Sequence, residues 1–138
     1  MTAIVELDRN GLEVLNREAC LRMLSCATLG RIGVTSGALP TILPVNYRLV
    51  GDTIVIRTAA GTKLDAATRN TVVAFEVDDM DPFEHTGWSV VVTGVAREVT
   101  DIGERALLDH PNVPRWAPEG EDRLVAISID IVSGRRIV

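Results

Sequence analysis

The sequence predicts a mostly β fold, an antiparallel small barrel of about six or seven strands with helices packed outside. Three observations carry this. Consecutive β-rich runs are joined by tight turn signals, which makes them antiparallel neighbours and excludes an alternating βαβ sheet. Gly94 interrupts one long β-rich run, as expected where a sheet bends. Pro40 and Pro44 remove two N–H donors from another run and assign it to an edge, a bulge or a strand start.

The elements follow in order. Asn16 suits the N-cap of a helix through Arg17 to Leu24, with Gly30 as a stop beyond its end. Arg31 to Thr35 reads as a strand, Ser36-Gly37-Ala38 as a turn, and Leu39 to Val50 as a strand again. Gly51-Asp52 turns the chain into a strand from Thr53 to Thr58, and a helix from Thr62 to about Arg69 follows. Thr71 to Val77 is β-rich, Asp78 to Thr86 an acidic loop, and Gly87 to Thr100 a long strand. Asp101 and Glu104 have capping-box spacing for a short helix ending near Asp109. A loop with Pro111, Pro114 and Pro118 leads to final strands at Leu124 to Ile129 and Gly134 to Val138.

With 138 residues and no linker or repeat, residues 1–138 are expected to form a single domain with a real core. A net charge of −5 argues against a general nucleic-acid binder, although a local basic site is compatible with it. Cys20 and Cys26 fall on different faces of the first helix, so a disulfide or metal pair is not expected and both read as buried thiols. No signal-peptide pattern opens the chain, and no apolar run nears the roughly 20 residues that span a membrane. A cytoplasmic protein without membrane contact is the expectation.

The stretch Ile54 to Asp65 is the most telling. A strand exits at Arg57 and Thr58, passes a small-residue turn, and enters a helix at Thr62 and Lys63. Two cations, two hydroxyls and free backbone N–H groups at one junction suit a phosphate. The same spacing also suits a well-capped helix carrying two solvated cations. The glycine run of a Walker loop is missing. Around Pro44, an interrupted ladder leaves backbone free either to meet a planar group or simply to kink an edge strand, and Tyr47 is the sole tyrosine. Trp88 and Trp116, the two tryptophans, suit ring stacking or plugging of the core rim. His85 and His110 have no ligand spacing or nucleophile partner. Asp78, Asp79 and Asp81 lack the glycine and distal glutamate of a calcium loop. No nucleophile triad or zinc spacing is present.

In this order and spacing, four blocks resemble the FMN-binding split barrels related to pyridoxamine 5′-phosphate oxidase. They are Pro44-Val-Asn-Tyr47, Ile56-Arg-Thr-Ala-Ala-Gly-Thr-Lys-Leu64, Ala74-Phe-Glu-Val-Asp78 and Gly87-Trp-Ser-Val-Val-Val-Thr-Gly94. The closing Gly134-Arg-Arg-Ile137 is similar to the end of the short actinobacterial-type members. The resemblance implies a homodimeric split barrel with FMN in clefts between the subunits. It implies that the backbone of Val45, Asn46 and Tyr47 lines the isoalloxazine edge, and that Arg57, Thr58, Thr62 and Lys63 hold the phosphate. Trp88 and Ser89 would approach the ring or ribityl chain, and Trp116 would reach it from the partner subunit.

One departure narrows the expectation. The oxidases carry an Arg-x-His near the C-terminus that meets pyridoxal substrate, whereas this chain reads Gly134-Arg135-Arg136-Ile137. Nor does it show a second basic site for a substrate phosphate. The function expected is a flavoprotein oxidoreductase of unassigned substrate, passing electrons between a small-molecule donor and acceptor. The alternatives are a deazaflavin-dependent reductase, a flavin- or haem-binding carrier or sensor without turnover, and an empty dimeric barrel. No side chain stands out as a general acid or base.

Overall fold

Antiparallel pairing organises nearly the whole chain. The computed structural model describes residues 4–109, 113 and 122–137. The order is β1 (Glu13–Leu15), α1 (Arg17–Cys26), β2 (Leu29–Ser36), β3 (Leu39–Asn46), β4 (Arg48–Val50), β5 (Thr53–Ala59), α2 (Lys63–Ala67), β6 (Thr71–Asp81), β7 (Thr86–Glu98), α3 (Ile102–Leu108), β8 (Asp122–Ser128) and β9 (Ile131–Arg136). One sheet runs β3-β2-β6-β7-β8-β5-β4, with β9 paired to β7 and β1. Its two end strands, β3 and β4, are consecutive stretches of chain separated only by Tyr47. The sheet therefore curls on itself, as the split-barrel reading requires.

Local chemistry explains the starts of the helices. The Asn16 side chain accepts from Ala19 N at 2.9 Å, Thr62 from Asp65 N at 3.1 Å and Asp101 from Glu104 N at 2.9 Å. Pro40 and Pro44 sit in the end strand β3. Gly94 marks the bend: β7 pairs with β9 from Trp88 to Thr93 and with β8 from Ala96 to Glu98, so two strands share one of its edges. A Cβ at Gly94 would lie 1.6 Å from the Ser128 carbonyl oxygen, so only glycine lets the chain cross here. Inside the curl, Ile32, Ile54, Ile56, Phe75, Val90, Val92 and Ile127 are fully buried. A smaller cluster of Val55, Val99, Leu108, Val113, Leu124 and Ala126 lies under α3.

Several expectations are corrected. Gly30 is not a helix stop: α1 ends at Cys26, and Gly30 lies within β2, where a Cβ would come 2.4 Å from the Phe75 ring. The run from Leu39 to Val50 is two strands with different partners. The acidic loop is shorter than Asp78 to Thr86, because β6 continues to Asp81 against β7. The helix over Thr62 to Arg69 spans only Lys63–Ala67, and the last strand begins at Ile131. β1 has no counterpart in the sequence reading. Cys20 is buried, but Cys26 is exposed. Among the described residues, no helix is long and apolar enough to cross a membrane.

Candidate functional site

The chain changes strand partner at Tyr47, and among the described residues no ladder joins β3 to β5. Before it, Val45 and Asn46 pair with Gly30 and Leu29 of β2; after it, Arg48 pairs with Val55 of β5. Among the described residues, the outer edge of β3 has no strand partner. The same is true of the β5 edge turned away from β8 between Ile56 and Ala59. The short helix α2 packs against both β2 and β5.

Tyr47 is anchored rather than presented. Its N–H donates to the Thr28 carbonyl at 2.9 Å and its hydroxyl donates to the Leu24 carbonyl. Its ring meets Phe75 edge-on with centroids 4.9 Å apart. Burial pushes the phenol well above its ordinary range, so it stays a neutral donor. The Val45 side chain is buried too, and Asn46 is half-buried. What this segment offers a ligand is therefore backbone and the Asn46 amide.

The four residues expected to hold a phosphate divide into two kinds. Arg57 is only 2% exposed; its Nε donates to the Val113 carbonyl at 3.1 Å, and an Nη donates to Asp109. Thr58 is fully buried and donates to Asp65 Oδ1 at 3.2 Å. Asp65 also accepts from Gly61 N at 3.0 Å and from Arg69 at 3.2 Å, with Arg123 Nε 3.3 Å away. Burial alone would raise its carboxyl, but the Gly61 N–H, Arg69, Thr58 and Arg123 together hold it below the usual range. Asp65 therefore stays ionised and occupies part of the donor set that the sequence suggests for phosphate. Thr62 donates to the Ala59 carbonyl at 2.8 Å while capping α2. Lys63 is exposed and makes no ion pair with a described residue.

Trp88 and Ser89 lie elsewhere. Trp88 pairs with Asp79 and Arg136, and Ser89 with Asp78 and Arg135. They border a cleft of about 430 Å³ with Leu12, Met80 and Ile137. At the far end of β7, Glu98 pairs with Val125, next to the Leu124 that pairs with Arg57. About 30 Å of strand separates the two groups. Trp116 lies outside the described residues.

Sequence reasoning missed three groups. Arg48, directly after the partner switch, borders a hollow of about 220 Å³ with Ser25, Thr28 and Tyr47. Asp109 and Asp65 supply the counter-charges to Arg57 and Arg123, and only Asp65 had a signal, its capping position. Arg31 bridges Glu76 and Asp78 at 3.2 Å each beside a hollow of about 330 Å³ that includes Gly30 and Pro44. Burial and the neighbouring Asp78 push the Glu76 carboxyl up, against the pull of Arg31. The described residues hold no cluster of three or more metal-ligating side chains.

The architecture and motifs agree with known proteins. A protein of Mycobacterium tuberculosis, Rv0080, is 42% identical over 132 residues, covering 90% of this chain and 84% of its own length. The structure of the FAD binding protein from Mycobacterium smegmatis superposes with a TM-score of 0.80 at 35% identity, covering 91% of this chain and 99% of that one. A crystal structure from Corynebacterium glutamicum, described as a candidate pyridoxamine 5′-phosphate oxidase, gives 0.78 at 32% identity, with coverage of 91% and 92%. The family model described as pyridoxamine 5′-phosphate oxidase matches residues 16–136. With its curled antiparallel sheet, this chain belongs to the pyridoxamine 5′-phosphate oxidase family.

Proposed function

We propose that this chain binds FMN between two copies of itself. It would act as an oxidoreductase in the cytoplasm, between a small-molecule electron donor and acceptor. The observation that carries the reading is the partner switch at Tyr47, which leaves edges of β3 and β5 without a strand partner among the described residues, with Lys63 an uncommitted cation at the turn that follows β5. Such groups fit a flavin: unpaired backbone and the Asn46 amide suit the heteroatom edge of its ring, and Lys63 with Thr62 suits its phosphate. Arg57 and Thr58 serve the same site indirectly, by fixing β5 and the turn through Asp109 and Asp65. Bound flavin would supply hydride or electron transfer. The chain's part is to bind it, orient it and screen it from water.

The length of β7 between Trp88 and Ser89 and the end that leads through β8 to Arg57 favours a site completed by the partner's copy of Trp88 and Ser89. A second reading, FAD in place of FMN, is favoured by the name of the 35%-identical structure. Both cofactors share the ring, the ribityl chain and the first phosphate, so the same residues serve either. The test is the visible spectrum of the purified protein and the mass of the ligand released on denaturation. A flavin spectrum and the mass of FMN are expected, and the mass of FAD would select the second reading. Protein that stays colourless after incubation with both would overturn flavin binding. Steady-state oxidation of NADH or NADPH with several acceptors then tests turnover.

A further inference from the structure

We propose that the N-terminal hairpin from Leu7 to Glu13 is a strap latched by Asp8 to Arg135, and that Leu12, which it carries to the Trp88 cleft, sets the room left there for a substrate. This deepens the reading above, in which Trp88 and Ser89 complete the site, and it rests on that reading for the substrate alone. The strap is a turn closed on itself. Leu7 bridges Glu13, the Asp8 N–H donates to the Leu12 carbonyl at 2.8 Å, and the Val14 N–H donates to the Glu6 carbonyl at 2.7 Å. Gly11 makes the turn with a φ of 79°, in the left-handed region that favours glycine. Beyond these internal bonds the strap has little hold on the fold. From Ile4 to Gly11 every side chain is exposed except that of Asp8, which is half-buried.

Asp8 supplies that hold, and its two carboxylate oxygens have separate tasks. Oδ1 accepts from the Asn10 N–H at 2.8 Å and the Leu12 N–H at 3.0 Å, which shapes the turn. Oδ2 accepts from Arg135 Nε at 2.9 Å, which ties the turn to β9. The Leu12 N–H first, then the Asn10 N–H and Arg135, hold the carboxyl below its usual range against partial desolvation, so the latch stays charged. Arg135 stands opposite Ser89 of β7 and opposite Val14 of β1, and the latch therefore closes at the border of the cleft. Glu13 and Arg136 form a looser pair at 3.8 Å. Leu12 is the strap's contribution to the cleft, where Met80, Trp88 and Ile137 are its apolar neighbours. Three aliphatic side chains and an indole suit a flat, apolar substrate. In such a wall one methylene more or less discriminates between substrates by roughly 10- to 200-fold. Leu12 is thus the specificity-determining residue, and Asp8 the residue that positions it.

The test uses the full chain and reads no flavin signal, so the strap and the flavin reading can fail separately. Amide hydrogen exchange reads the latch. Asp8→Asn keeps an acceptor for the Asn10 and Leu12 N–H groups and removes the one that faces Arg135. It is expected to speed exchange at Leu12 roughly three- to tenfold, with Phe75 and Val92 in the sheet at their wild-type rates. Arg135→Gln should do the same, and the double variant should exchange no faster than either single one. Acrylamide quenching reads the cleft, in a Trp116→Phe background where Trp88 is the sole tryptophan. Quenching is expected to steepen in Leu12→Ala and to weaken in Leu12→Phe. Leu12 is only half-buried, so both variants should keep native circular dichroism. Unchanged exchange in Asp8→Asn, or exchange that quickens equally through the sheet, overturns the latch. Additive effects of the two latch variants overturn it as well. Trp88 quenching that ignores both changes at Leu12 overturns its role in the cleft.

Discussion

Arg57 and Lys63 look alike in sequence, and the structure predicts that their removal has opposite consequences. Arg57→Ala deletes charge-assisted hydrogen bonds to Asp109 and to the Val113 carbonyl, each contributing about 1.5–3 kcal/mol where buried. Asp109 is 34% exposed and rehydrates when the arginine is gone, so its share is discounted. The expected loss is about 3 kcal/mol. For a domain of this size each kcal/mol moves Tm by about 3–5 °C, which gives a fall of roughly 10 °C. Lys63→Ala, at an exposed position, should leave stability within about 0.5 kcal/mol. If it contacts the flavin phosphate, it weakens flavin binding by about 1.5–3 kcal/mol, roughly ten- to a hundredfold. Stability is measured on flavin-free protein by thermal unfolding, because bound ligand would itself raise Tm. Affinity is measured by fluorescence titration with FMN. An Arg57→Ala protein with unchanged Tm and abolished FMN binding would refute the reasoning, since it would mean that the guanidinium leaves Asp109 to serve the ligand.

Three further outcomes are expected. Gly94→Ala forces a Cβ against the Ser128 carbonyl and should cost about 3 kcal/mol by urea denaturation, whereas Gly33→Ala, whose nearest contact is an ordinary 3.5 Å, should cost less than about 1 kcal/mol. Asp65 is held ionised below its ordinary pKa, so its contribution is present above the unfolded-state value of about 3.9 and is lost as pH falls through the folded value. The stability difference between wild type and Asp65→Asn should therefore shrink from pH 7 towards pH 3; a difference that grows instead would contradict the assignment. Native protein should react with one equivalent of iodoacetamide, at exposed Cys26, because Cys20 is buried and its thiol is pushed up by burial. Peptide mapping identifies the modified thiol, and rapid labelling of both would show that α1 opens.

Features written in a few adjacent residues were legible. Asn16, Thr62 and Asp101 cap helices as their spacing implies, and the prolines of β3 sit in an end strand. Features fixed by a remote partner were not. Gly30 reads as a helix stop because glycine commonly ends helices, but its smallness is required by the Phe75 ring across the sheet. Asp78, Asp79 and Asp81 read as a loop because aspartate is a poor strand former, yet the ladder to Thr86–Ser89 overrides that preference. The internal partners of the phosphate junction were hidden in the same way. Strand-end cations and hydroxyls are the common signal of an anion site and of an internal ion pair, and only a carboxylate arriving from elsewhere separates the two. Asp109 arrives from a position 52 residues further along the chain to engage Arg57, while Asp65 engages Thr58 from within the cap. Lys63 is the cation of the junction to which the described residues bring no carboxylate. That difference is why the proposal gives the flavin phosphate to Lys63 and not to the arginine that looks stronger in the sequence.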